Sequence, residues 1–232
     1  MKRVFDCSAA LIGLLLLAAP LGLLMLVVFL EDRRSPFFLG PRVGRGRRVF
    51  RIVKLRTMRP DAWLSGVNST ASSDRRVTRV GRWLRLAKVD ELPQLWNVLT
   101  GNMSLVGPRP QVAAEVERYT LAECRLLEVR PGITDLASIV FADEGEILAG
   151  ASDPDLLYNQ VIRPWKSRLA LACIDHGSRL TDLRIIALTL LACLSRRRAL
   201  RGVEHLLTRW HADSLLQKTA TRREPLLAWP PP

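Results

Sequence analysis

The chain is poor in the residues that build metal centres, disulfide frameworks and nucleic-acid platforms. Its four cysteines, Cys7, Cys124, Cys173 and Cys193, are scattered and form no Cys-x-x-Cys pair. That spacing argues against a disulfide framework or a zinc site and fits a reducing cytosol. The three histidines, His176, His205 and His211, show no ligand spacing either. Aromatic residues make up only 6% of the chain and no Gly-aromatic RNA-binding motif occurs, so nucleic acid is not the expected partner. No internal repeat is found. The alternation of strands and helices that a nucleotide-binding α/β glycosyltransferase requires is missing too. Acidic residues are also short: 22 Asp and Glu stand against 35 Lys and Arg, a formal charge of +13. That excess suits anionic lipid head groups or nucleotide phosphates. The 232 residues suffice for one domain with a real core, or for a small domain with a membrane anchor.

What the chain does have is a long run without charge, from Cys7 to Leu30. Leu11 to Leu30 alone is about the length a helix needs to cross the hydrocarbon core, and hydropathy alone reads it as a single span. A cleaved signal peptide does not fit, because Glu31, Asp32, Arg33 and Arg34 follow where small residues would be needed. Two details favour a re-entrant hairpin over a span. Pro20 sits at the centre, where it kinks or breaks a helix. Positive charge flanks both ends, with Lys2 and Arg3 before and Arg33, Arg34, Arg42, Arg45, Arg47 and Arg48 after. A hairpin turning at Pro20 keeps both flanks on the cytoplasmic side, as the positive-inside rule prefers.

The rest reads as a small soluble unit. Val49 to Arg56 alternates as a short strand does, and 61–74, rich in Ser, Asn, Gly and Asp, reads as a loop. Val77 to Leu86 suits a short amphipathic helix. Asp90 is placed as the N-cap of a helix carrying Leu92, Leu95, Trp96 and Leu99 on one face and stopped at Gly101. Gln111 to Val129 reads as one further helix. Residues 144–155 read as loop or weak helix, and Pro164–Cys173 and Leu180–Leu194 as helices. The last of these is equally readable as a core helix or one lying on a membrane surface. From Ala199 onward the chain reads as a basic, partly disordered tail.

The most informative stretch is Leu84 to Gln111, LRLAKVDELPQLWNVLTGNMSLVGPRPQ. Its Asp90-Glu91 pair, followed by an Arg109 loop between two prolines, can hold a divalent metal and a phosphate together. Taken alone, Asp-Glu at a helix start is usually a cap, and Pro-Arg-Pro a rigid surface loop. Their company decides the reading. Lys2-Arg3-Val4-Phe5-Asp6, Phe37 to Met58, Asp90-Glu91-Leu92-Pro93-Gln94, Gly101 to Pro110, Arg130-Pro131-Gly132-Ile133-Thr134 and Asp182-Leu183 occur in that order. Over Lys2 to about Leu194 the chain resembles the bacterial sugar transferase family, small monotopic polyprenyl-phosphate phosphoglycosyl transferases.

The resemblance implies a mainly α fold with a little β: a re-entrant membrane helix (1–32) and a cytoplasmic catalytic domain with interfacial amphipathic helices (33–195); beyond it, 196–232 reads as a basic C-terminal tail. It implies transfer of a phosphosugar from a UDP-sugar to polyprenyl (undecaprenyl) phosphate with release of UMP, at the cytoplasmic face of a bacterial inner membrane. Asp90 would be the nucleophile and Glu91 the Mg²⁺ ligand; Lys54, Arg56, Arg85, Arg109 and Asp182 would bind substrate. Membrane lipid is an expected partner, and a homodimer is allowed. The chain departs from the family pattern twice. Ala19 stands where Ser usually precedes the proline, and 135–142 lacks the usual Arg. The alternative from another class is a non-catalytic, membrane-tethered basic protein that binds anionic lipid or a partner. It leaves the Asp-Glu and Gly-Pro-Arg-Pro blocks without a role.

Overall fold

The uncharged run folds as one helix, α1 (Lys2–Asp32), in a computed structural model that describes residues 2–67 and 69–232. Pro20 lies inside α1 and does not end it, so the break expected there is corrected to a continuous helix. A proline removes one rung of the hydrogen-bond ladder, and helix-forming leucines on both sides keep the backbone helical. Much of α1 is bare: Leu15, Leu16 and Leu23 are 69%, 76% and 62% exposed.

Both ends of α1 are nonetheless tied to the rest of the molecule. At the start, the Arg3 guanidinium donates to the Val98 and Leu99 carbonyls at 2.5 and 2.9 Å. The buried Asp6 carboxylate accepts from Ser104 Oγ at 2.7 Å, and Lys2 Nζ pairs with Asp182 at 2.5 Å. At the other end, the Asp32 carboxylate takes both Arg56 Nη groups at 2.6 Å, and Val28 packs on Leu55 and Leu84.

The basic stretch after α1 is an antiparallel hairpin, β1 (Phe37–Val43) with β2 (Val49–Leu55), registered from Phe37 opposite Leu55 to Val43 opposite Val49. Only the second strand is legible as alternation. Next comes α2 (Arg79–Leu86), capped by Thr78, whose hydroxyl accepts from Gly81 N. The following helix, α3 (Gln94–Leu99), begins three residues later than expected. Asp90 is not its N-cap: 90–93 form successive turns, with Gln94 N bonded to Glu91 O and Leu95 N to Leu92 O. α3 is pinned across β2 by the buried Asn97, whose side chain donates to Arg51 O and accepts from Val53 N, both at 2.8 Å.

A parallel pair, β3 (Ser104–Val106) with β4 (Gly132–Thr134), joins the Met-Ser-Leu-Val and Gly-Ile-Thr blocks. Between them the single helix expected over Gln111–Val129 is replaced by two short pieces, α4 (Ala113–Val116) and α5 (Leu121–Cys124). Thr120 breaks the run by forming a capping box with Glu123. Then follow α6 (Leu136–Val140), α7 (Glu144–Ile147) and α8 (Pro154–Leu157), a π-helical turn over Tyr158–Ile162, α9 (Arg163–Asp175) and α10 (Arg179–Leu194).

The basic tail, expected to be partly disordered, folds instead into α11 (Arg196–Arg209) and α12 (Ser214–Thr221). Leu200, Val203, Leu206, Leu207 and Leu216 enter the largest core with Leu136, Trp165, Leu169 and Ile185. Arginines between these positions mask a 3–4 residue apolar spacing. The last residues cross α9, with Trp229 stacked on Trp165 at 5.8 Å and Trp165 Nε1 donating to Leu227 O at 3.0 Å. The architecture is thus mainly helical with two small sheets, as the resemblance implies.

Candidate active site

Three backbone features bring distant charges together. Leu55 N donates to Asp90 O at 2.9 Å, which sets the end of β2 beside the Asp-Glu turn. Gly107 and Gly132 touch where β3 leaves β4: a Cβ built on Gly132 would lie 2.1 Å from Gly107 N. Only glycine permits that approach, and it aims the loop carrying Arg109. Gly81 lets α2 lie against Thr57, since a Cβ there would lie 2.1 Å from Thr57 O, and Arg85 Nε then donates to Thr57 Oγ1 at 2.8 Å.

The result treats the two adjacent carboxylates in opposite ways. Glu91 accepts from Lys54 Nζ at 2.7 Å and from Arg109 Nη1 at 3.0 Å, with Arg109 Nη2 closing a bidentate pair. Burial alone would raise its pKa. The Arg109 and Lys54 charges and their hydrogen bonds overcome this and hold Glu91 well below the usual carboxylate range. Asp90 is only 7% exposed, and its carboxylate accepts no hydrogen bond among the described residues. Burial first, and the Glu91 charge next, raise its pKa against the pull of Lys54, Arg85 and Arg109. Lys54 is lowered by burial and by the charge of Arg109, and Arg85 by burial. One carboxylate is therefore locked, and its neighbour is buried, uncommitted and held at raised free energy when ionised.

Of the residues singled out in the sequence, Lys54, Arg85, Asp90, Glu91 and Arg109 converge here. Arg56 does not. It lies one residue past the end of β2, where strand alternation no longer puts it on the face of Lys54, and it is spent on Asp32. Asp182 is taken by Lys2. Pro20 lies within the exposed helix α1, among residues that pack apart from this cluster. Among the described residues no group of three or more His, Cys, Asp or Glu side chains is arranged to hold a metal ion. Sequence reasoning misses Thr57, and it misses Arg42, whose charge and that of Arg109 oppose each other. It also misses Glu144, Tyr158 and Lys166. None of these carries a local signal, because contacts across the fold bring them near Arg109.

The family model for bacterial sugar transferases matches residues 1–196. An undecaprenyl-phosphate glucose phosphotransferase of Komagataeibacter xylinus is 39% identical over 199 residues, 82% of this chain and 35% of that protein. A UDP-glucose:undecaprenyl-phosphate glucose-1-phosphate transferase of Caulobacter vibrioides is 44% identical over 60% of this chain and 53% of its own length. The chain thus spans about a third to a half of these relatives. It covers 96% of the exopolysaccharide production protein PSS of Rhizobium leguminosarum bv. phaseoli, at 35% identity over 84% of this chain. A match over most of the chain, including each block that meets at the Asp90–Glu91 cluster, makes this protein a member of the bacterial sugar transferase family.

Proposed function

We propose that the protein is a phosphoglycosyl transferase that moves a phosphosugar from a UDP-sugar to polyprenyl phosphate in glycan assembly. The observation that carries the reading is the split between Glu91, locked by Lys54 and Arg109, and Asp90, buried and uncommitted. An uncommitted carboxylate is a workable nucleophile at phosphorus. Asp90 Oδ attacks the sugar-bearing phosphorus, the bond to the bridging oxygen breaks, and UMP leaves. An oxygen of polyprenyl phosphate then attacks the same phosphorus, frees Asp90 and forms the diphosphate-linked sugar. Lys54, Arg85 and Arg109 offset the charge that builds on the phosphate oxygens. Asp90 precedes Pro93, the N-cap of α3, and burial first, then the Glu91 charge, raises its pKa.

Two protein carboxylates fit Mg²⁺ only in the mode in which substrate phosphates complete the coordination. Glu91, with Asp90 beside it, would hold the ion once the diphosphate draws Lys54 and Arg109 off its two oxygens, and the ion would supply charge neutralisation on the diphosphate. Undecaprenyl phosphate and UDP-linked hexose or N-acetylhexosamine are the substrates proposed, in keeping with the names of the relatives. The 232-residue protein in detergent with undecaprenyl phosphate should release UMP from at least one UDP-sugar. Excess EDTA should abolish release and added Mg²⁺ restore it. Release that continues unchanged in EDTA would remove the metal from the mechanism, and no release from any UDP-sugar would remove the function.

We also propose that α1 enters one leaflet of the inner membrane and keeps both ends on the cytoplasmic, catalytic side. Arg3 and Asp6 at one end, and Val28 and Asp32 at the other, bind the same body of β2, α2, α3 and β3. A helix with its ends on opposite faces of a bilayer cannot do this. Trp83, Leu86 and Trp96, exposed on the elements that pack α1, suit the interfacial level. In a variant without native cysteines, Lys2→Cys should be shielded from a membrane-impermeant thiol reagent in intact spheroplasts and label after permeabilisation. Labelling of intact spheroplasts would mean that α1 spans.

A further inference from the structure

Beyond Arg109 the fold assembles a second polar group that phosphate chemistry does not use. Gln111, two residues after Arg109, donates from Nε2 to Tyr158 Oη at 3.3 Å. Lys166 Nζ lies 5.4 Å from the Tyr158 ring centre and pairs with Glu144. Tyr158 opens the π-helical turn before α9, and such irregularities are concentrated at functional sites. Lys166 and Glu144 are partly open, with side chains 14% and 31% exposed.

The segment bearing Glu144 is held from several directions. Asp143 takes Arg196 of α11 at 2.7 Å and Arg222, just after α12, at 3.0 Å. The Arg222 guanidinium also lies 5.6 Å from the Phe141 ring centre. Lys88 Nζ donates to Ala142 O at 3.1 Å. The cluster is also in electrostatic reach of the site. Burial works against ionised Glu144, but Lys166 and then Arg109 hold its pKa below the usual range, so both members of the pair are charged.

We infer that Lys166 and Glu144 form a rim, with the buried Tyr158 beneath them, that binds the hydroxyls of the donor's sugar and sets which sugar is accepted. This rests on the phosphoglycosyl-transfer reading above. The Lys54–Glu91–Arg109 cluster serves the diphosphate and leaves both the uridine and the sugar of a UDP-sugar without a partner; of the two, the sugar presents the more hydroxyls. A carboxylate accepts, an ammonium donates and a phenol does both, which is the set that hydroxyls of differing orientation require. Gln111, two residues after Arg109 in sequence, ties the cluster to the loop that carries Arg109.

The test uses the full chain in lipid nanodiscs with undecaprenyl phosphate and four donors: UDP-glucose, UDP-galactose and their two N-acetylhexosamine counterparts. Lys166→Met, Glu144→Gln and Tyr158→Phe are compared with wild type. For Lys166→Met, donor KM should rise about tenfold, and the kcat/KM ratio between the two best donors should change by about tenfold or more. The acceptor KM should hold. The inhibition constant of UMP should hold as well, because UMP lacks the sugar. Tyr158→Phe and Lys166→Arg keep the size of the side chains and serve if Lys166→Met does not fold. Folded variants whose donor KM and selectivity are unchanged would overturn the inference. So would a parallel rise in donor KM and UMP inhibition constant. If wild type released UMP from none of the donors, the transfer reading itself would fall and take this inference with it.

Discussion

Asp90→Asn is expected to lower phosphosugar transfer by about 10³-fold or more, the scale at which loss of a covalent nucleophile is felt. Wild-type protein incubated with its UDP-sugar and no acceptor should carry a phosphosugar on the Asp90 peptide by mass spectrometry, and the variant should not. The substitution should cost no stability. The Asp90 carboxylate makes no hydrogen bond among the described residues, and burial already disfavours its charge. A neutral amide of the same shape removes that penalty, so the melting temperature should hold or rise. The pH dependence carries a sign as well. The nucleophile must be ionised and its pKa is raised from 3.8, so kcat/KM should fall with acid at a higher pH than for a free aspartate. A variant that keeps full turnover would exclude Asp90 as the nucleophile.

A chain ending at Ser195 is expected not to fold, although the family match stops at residue 196. The cut removes Leu200, Val203, Leu206, Leu207 and Leu216, all within 8% of complete burial in the main core. Burying one such side chain is worth roughly 1.5–3 kcal/mol, so together they contribute on the order of 10 kcal/mol, as much as a whole domain's net stability. The cut also frees Asp143 from Arg196 and Arg222. Truncated protein should elute as aggregate from detergent and lack a cooperative thermal transition. A monodisperse truncated protein with normal UMP release would show that α11 and α12 are accessory.

Whatever depends on local chemistry could be read from the chain. An unbroken apolar run, an Asp-Glu pair, a proline-flanked arginine and a strand-like Lys54 segment keep their character in any fold. The ordered blocks were enough to identify the family. Arg56 and Asp182 share those blocks, yet only the tertiary structure decided that they would be spent on Asp32 and Lys2. Charge in a sequence says nothing of its partner, because ion pairs form between residues far apart along the chain. The same limit hid α11, whose arginines made a core helix look like a solvated tail. It also hid the different fates of Asp90 and Glu91. In the sequence they are two neighbouring carboxylates. In the fold, Lys54 from β2 and Arg109 from the loop after β3 both reach Glu91 and leave Asp90 open. Desolvation and pairing are properties of a site's walls, and those walls are built from segments that only folding brings together.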